Sequence, residues 1–151
     1  MIPTQTINAP RLAGREEAEQ LFDLLCAARC EIGLAERVCD PAYRAKYVNE
    51  FQRYCDEKYL WVVGPAAGIK AMLVLKPCPW DTWEVFYVVV SKQERRCGVG
   101  SALVRHVQTL EGMVELRAEA RNEGSRRMLE GCGFVTTGEV KGGFPILEWR
   151  R

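Results

Sequence analysis

Hydrophobic positions along this chain change period partway through. From Arg15 to about Cys55 they recur at helical spacing, and from Tyr59 onward they fall into short β-rich runs broken by Gly and Pro. Leu21, Leu24, Leu25 and Ala28 stand at i, i+3, i+4 and i+7, which predicts an amphipathic helix beginning at Arg15. Gly33 and the Asp40-Pro41 pair punctuate the chain before a second helix, whose apolar stripe is Tyr47, Val48, Phe51, Tyr54 and Cys55. Residues 4–9 suit a short leading strand. YLWVV (59–63) ends at the turn pair Gly64-Pro65, and IKAMLVLK (69–76) is closed by PCPWD. WEVFYVVVS (83–91) becomes apolar on consecutive residues, which predicts burial on both faces and a central place in a sheet. With short links between them, these three runs read as an antiparallel meander.

Helical spacing then returns with Ala102, Leu103, Val107 and Leu110, and stops near Gly112. VELRAEA (114–120) alternates as a strand, parallel to 83–91 if the intervening helix makes a right-handed crossover. Asn122 is a good N-cap for a short helix through Leu129, ended by Gly131 or Gly133. FVTTGEVKGGFPILEWR reads as a hairpin turning at Gly142-Gly143. The order β, α, α, β, β, β, α, β, α, β, β describes an α/β domain with a mixed sheet. No repeat, low-complexity tract or linker divides it, so residues 1–151 are expected to form one domain.

Composition narrows the partners. Lys plus Arg number 21 against 20 Asp plus Glu, with no basic stripe or acidic tail, so nucleic acid is not expected. MIPTQTINAPRLAGREE lacks a charged n-region followed by an apolar h-region, and no apolar run approaches the ~20 residues of a membrane span. A soluble, cytoplasmic protein away from membranes is the expectation. The seven cysteines, an odd count without an export signal, read as reduced thiols. Cys26 and Cys30 stand at i, i+4, but there is no CxxC and His106 is the sole histidine, so no metal is expected. His106 reads as a partly exposed structural residue, Tyr87 as core, and Trp80 and Trp83 as cover for a sheet edge.

The chemistry concentrates in QERRCGVGSALV (93–104). A strand, a Gly-rich turn and a helix start make a general anion cradle, with backbone N–H groups and the helix dipole pointing into the turn. Gly98 and Gly100 remove Cβ atoms so that a phosphate can approach the main chain, and Arg95 and Arg96 offer charge-assisted hydrogen bonds. No Gly-Lys-Ser/Thr follows, and the third glycine of a dinucleotide fingerprint is missing.

VVVSKQERRCGVGSALV resembles the acyl-CoA-binding motif of the GCN5-related N-acetyltransferase (GNAT) superfamily, in which an apolar strand runs into R/Q-x-x-G-x-G/A. A second block of that family is matched by Asn122, Ser125 and Cys132-Gly133-Phe134. The resemblance implies a single-domain GNAT fold: a mixed, mostly antiparallel twisted sheet with a splayed central parallel pair and helices on both faces. It also implies acetyl-CoA as acyl donor and a primary amine as acceptor, joined in a ternary complex without a covalent acyl-enzyme. The donor's pyrophosphate is expected on the N–H groups of Arg95, Arg96, Cys97, Gly98, Val99 and Gly100, with Ser101 at the helix start. Its pantetheine arm is expected to pair with Val88, Val89 and Val90, where the N–H of Val89 or Val90 polarises the thioester carbonyl. Asn122 stands where the family contacts that arm.

Glu84, fourteen residues before Gly98, stands where the family's histone-acetyltransferase branch carries its general base. Its neighbours Trp83, Val85, Phe86 and Tyr87 make the kind of apolar setting that raises a carboxylate's affinity for a proton. The family's usual acid, a tyrosine seven residues after Asn122, is replaced here by Leu129, with Ser125 and Cys132 as substitutes nearby. That departure leaves open a non-catalytic acyl-CoA-binding regulator, and a phosphate or nucleotide binder is a third reading. The resemblance places residues 31–42, with Glu36, Arg37 and Asp40, along the acceptor site, which the short turn KGGF leaves open. A homodimer is the default oligomeric expectation.

Overall fold

The computed structural model describes residues 9–29 and 39–151, and the predicted order of elements holds across them. After the short strand β1 (Arg11–Leu12) come helices α1 (Ala18–Ala28) and α2 (Pro41–Asp56). The meander β2 (Leu60–Val63), β3 (Ala71–Cys78) and β4 (Thr82–Val90) follows, then α3 (Val99–Gln108), β5 (Glu115–Glu119) and α4 (Glu123–Gly131). The hairpin β6 (Val135–Lys141) and β7 (Phe144–Arg150) closes the chain. One sheet runs in the order β1-β2-β3-β4-β5-β7-β6, antiparallel throughout except for β4 against β5.

Local chemistry explains the element ends. Asp40 Oδ1 accepts a hydrogen bond from Ala42 N at 3.0 Å, and Pro41 opens α2, where a missing N–H costs nothing. Gly142 and Gly143, at φ +60° and +88°, form the two-residue turn that sets Lys141 opposite Phe144. Among the described residues the first strand is Arg11–Leu12, and the strand expected at 4–9 lies, but for residue 9, outside them. What anchors it is a polar cluster: the Arg11 guanidinium donates to Glu17 Oε1 and Oε2 at 2.8 and 2.7 Å and to Gly64 O at 3.1 Å.

Two cores form, one on each face of the sheet. Leu21, Phe22 and Leu25 of α1 meet Val48 and Phe51 of α2 over Met72, Val74 and Val89. On the other face Leu103, Val104 and Val107 of α3 and Leu129 of α4 pack over Leu73, Val85, Leu116 and Leu147. Every residue of the predicted α1 and α2 stripes is buried or packed against the first core.

The centre of the sheet positions the site. β4 and β5 pair only over Trp83–Val85 against Leu116–Ala118. Beyond Val85, β4 keeps β3 on one side and has no strand on the other, which is the splay expected of the parallel pair. A β-bulge accompanies it: Leu75 pairs with Val85 and Val74 with Tyr87, so Phe86 is the extra residue. Phe86 and Tyr87 then lie side by side, with ring centroids 4.4 Å apart. Departure of β5 also explains why the apolar run of β4 is not buried on both faces. Val88 and Val90 are half-buried and Phe86 is exposed. Trp83 packs against Tyr59 at 5.5 Å, but Trp80 covers no sheet edge: it stands 94% exposed at the tip of the β3–β4 hairpin. Among the described residues no helix is long and apolar enough to cross a membrane.

Candidate active site

The predicted donor-binding residues converge on one groove of about 760 Å³ between the open edge of β4, the start of α3 and the start of α4. Val88, Val89 and Val90 form one wall, and Asn122 with Ser125 of α4 forms another. Arg95, Arg96, Gly98, Val99, Gly100 and Ser101 close the end. Cys97 is the exception. It is exposed, outside the lining, and its N–H donates to Glu94 O at 3.4 Å in a tight turn, so that group is spent inside the loop.

Backbone geometry refines the roles of the rest. Ser91 N donates to Lys70 O at 2.8 Å, on the β3 side. Strand alternation then turns the N–H of Val89 toward β3 as well, and those of Val88 and Val90 into the groove. The two main-chain donors for an extended ligand are therefore Val88 and Val90, in place of the expected Val89 or Val90. In α3 the bond from Ala102 N to Gly98 O, 3.0 Å, is the first of the helical ladder. It leaves the N–H groups of Val99, Gly100 and Ser101 without partners inside the helix, at the positive end of its dipole.

The two glycines differ. Gly98 has φ +76°, a left-handed backbone, and a Cβ there would meet nothing within 4 Å. Gly100 is helical, and its missing Cβ would stand 3.3 Å from Val90 Cγ2 and 3.7 Å from Val88 Cγ1. Gly98 thus supplies a turn and open room, while Gly100 lets the helix close onto the strand. Asn122 caps α4, its Oδ1 accepting from Ser125 N at 2.8 Å, and lines the groove from that position.

A smaller cavity of about 140 Å³ fills the gap between the splayed strands and shares Val88, Ser125 and Met128 with the groove. Glu84 lies at its far end, with Phe86, Tyr87, Glu119 and Leu129 around it. Tyr87 is partly packed on the first core but also faces this cavity, and burial pushes its phenol up to about 12. Its hydroxyl therefore stays protonated at neutral pH. Leu129 is buried at 3% exposure and presents only carbon where the family pattern places an acid. Beyond Glu84 a third cavity of about 770 Å³ opens, sharing Glu84, Ala118 and Glu119 with the small one and no residue with the donor groove.

Other expected residues fall elsewhere. Asp40 serves as a helix cap, and Glu36 and Arg37 lie outside the described residues. Cys132 is buried and lines none of the three cavities. Cys78 is the thiol beside Glu84; burial, and then the Glu84 charge, raise its pKa, so it is a protonated bystander. Cys30 is outside the described part, and the Cys26 thiol is pushed up to about 12, chiefly by burial and then by the neighbouring Cys39. Among the described residues no group of three or more metal-ligating side chains forms. His106 packs its ring 4.5 Å from that of Trp61, and burial lowers its proton affinity, as suits a structural residue. Sequence reasoning missed Ala28, Gly124 and Met128 in the groove and Arg121 in the small cavity. The i, i+3 spacing of Ser125 and Met128 on one helix face could have found Met128.

The chain is similar to known proteins in sequence profile and in fold. The profile of the Acetyltransferase (GNAT) family matches residues 20–134. No curated protein matches the chain in sequence. Among solved structures, the PaiA N-acetyltransferase of Thermoplasma acidophilum, in complex with coenzyme A, superposes with a TM-score of 0.76 at 16% identity, covering 94% of this chain and 98% of its own. YncA of Salmonella typhimurium, a putative acetyltransferase with its cofactor acetyl-CoA, gives 0.71 at 16%, covering 94% and 92%. The diaminobutyrate acetyltransferase EctA of Paenibacillus lautus, with its substrate and coenzyme A, gives 0.70 at 15%, covering 93% and 92%.

Proposed function

The chain belongs to the GNAT acetyltransferase family, and from that premise we propose that it transfers the acetyl group of acetyl-CoA to a primary amine by direct attack. The observation that carries this is the continuity of the three cavities, with Glu84 at the junction of the second and third. Donor and acceptor can then approach the same point from opposite sides without a covalent relay.

Each element of the donor groove has a task. The N–H groups of Val99, Gly100 and Ser101 hold the pyrophosphate, reinforced by the charges of Arg95 and Arg96. The main chain of Val88 and Val90 pairs with the pantetheine arm as an added strand would. The N–H of Val88, which borders both groove and small cavity, donates to the thioester carbonyl and to the negative charge that develops on its oxygen. Glu84 takes the proton from the acceptor's ammonium, so that the free amine attacks. With Leu129 in the usual acid position, the hydroxyls of Ser125 and Tyr87, which line the same cavity, supply the hydrogen bond that the departing thiolate needs. The six free thiols among the described cysteines suit a reducing compartment, and we place the reaction in the cytoplasm.

Acceptor-dependent thiol release across an amine panel tests this. Glu84→Gln should lower kcat by about 10²–10⁴-fold, the usual contribution of a general base, with acetyl-CoA affinity retained. A stable acetyl-cysteine formed from acetyl-CoA alone, and competent to acylate an amine, would refute direct attack. Leu129 also favours a second reading, a non-catalytic acyl-CoA sensor. Tight CoA binding without turnover on any amine would establish it, and stabilisation by ATP equal to that by acetyl-CoA would exclude both.

A further inference from the structure

Building on the transferase reading, we infer that the acceptor is a small primary amine with one ammonium group on an apolar, planar body, and that Trp80 holds that body. The third cavity is where the acceptor enters, since it opens onto Glu84 from the side away from the donor groove. Its volume, about 770 Å³, lies within the roughly 300–1,000 Å³ of small-molecule pockets.

Among the described residues, charge in this cavity is almost entirely committed. Four of their carboxylates line it: Glu84, Glu115, Glu119 and Glu139. Glu115 accepts from Thr82 Oγ1 at 3.2 Å and faces Arg150 Nε at 3.7 Å. Glu119 is held by Arg121 at 2.9 Å and Lys141 at 3.6 Å, and Glu139 by Arg117 at 2.9 Å. Only Glu84 has no ion pair among the described residues. Its cross-strand partner Lys76 places its ammonium 3.7 Å from the centre of the Phe86 ring instead. One unmatched negative charge accommodates one ammonium. A polycation would have to break existing pairs to gain anything more.

The remaining free surface is apolar. Trp80, 94% exposed, and Val140, 67% exposed, line the cavity together with Pro79 and Ile146. Trp80 belongs to neither core, and its hairpin holds it in a left-handed backbone, φ +67°, beside Asp81 at φ +59°. A large aromatic kept outward at the mouth of a cavity offers contact area to a ligand and none to the fold.

The test is isothermal titration of the CoA-saturated protein with phenylethylamine, spermidine and ethylamine, alongside thiol release from acetyl-CoA with the same amines. Phenylethylamine should bind at least tenfold more tightly than either other amine. Trp80→Ala should abolish that preference and Trp80→Phe restore it, with CoA affinity and melting temperature unchanged. Spermidine binding as well as phenylethylamine, no amine binding, or a preference that survives Trp80→Ala would overturn the inference. Selective phenylethylamine binding without thiol release would leave the acceptor class standing and reject the transferase. Thiol release favouring spermidine would do the reverse.

Discussion

Alanine substituted separately for Gly98 and Gly100 distinguishes two jobs that one motif conceals. At Gly98, with φ +76°, an L-residue pays about 1–2 kcal/mol for the left-handed backbone. No neighbour lies within 4 Å of the new Cβ, so no steric term is added. For a chain of this length each kcal/mol lowers Tm by about 2–4 °C, and the loss should be visible by calorimetry. The added methyl also enters the groove where the donor's phosphates are to sit, and a loss of about 1.4 kcal/mol there is a tenfold weaker Kd for acetyl-CoA. At Gly100 the terms oppose one another. Alanine favours helix over glycine by about 1 kcal/mol, while its Cβ presses on Val90 Cγ2 at 3.3 Å, a contact that must give by a few tenths of an ångström. Gly100→Ala should therefore stay within about 0.5 kcal/mol of the parent and bind acetyl-CoA with less change than Gly98→Ala. Calorimetry and acetyl-CoA titration on both variants decide it. If Gly100→Ala were the more damaging, or Gly98→Ala bound the donor unchanged, this division of labour would be wrong.

Two further tests use the caps and the buried carboxylate. Asn122→Ala removes the hydrogen bond to Ser125 N and should cost about 1 kcal/mol by thermal unfolding. Asn122→Asp should keep that stability, because aspartate caps equally well, yet weaken acetyl-CoA binding by placing a carboxylate in the groove. Glu17 is 5% exposed, and its pKa is lowered chiefly by the hydrogen bond from Arg11. Its stabilisation is present above the ordinary carboxylate pKa and is lost as pH falls through the depressed folded value. Stability should thus drop on acidification below about pH 4.5, near the usual glutamate value, and Glu17→Gln should flatten that part of the profile; an unchanged profile would remove Glu17 from the account.

Much of the fold was legible because the signals were local. The i, i+3, i+4 stripes of α1 and α2, the Asp40-Pro41 start, the Asn122 cap and the Gly142-Gly143 turn each act within a few residues of themselves. Where the outcome depended on distant partners, local pattern misled. Strand β1 at Arg11–Leu12, which no local pattern marked, is anchored by the contacts of Arg11 with Glu17 and Gly64, the latter 53 residues away. The half-buried state of Val88 and Val90 follows from β5 leaving β4 after Val85. Trp80, expected over a sheet edge, stands 94% exposed in the tight turn that β3 and β4 form by pairing with each other, Cys78 opposite Thr82.

The candidate site divides in the same way. Sequence alone determined the turn proposed as the donor cradle, since a left-handed glycine, a helix start and flanking arginines are neighbouring residues whose geometry is set by their own backbone. Tertiary structure decided which main-chain groups face the ligand, because strand direction depends on pairing with β3. It also decided that Cys97 turns its N–H inward and that Glu84 lies between two cavities. Only the packed sheet could show that, among the described residues, the other three carboxylates of the outer cavity are already paired while Glu84 is not. Their cations come from β5, β6, β7 and the segment after β5, up to 35 residues away along the chain in the case of Glu115 and Arg150. Ion pairing between strands depends on distance in space, and no spacing along the chain encodes pairs such as Glu115 with Arg150 or Glu139 with Arg117.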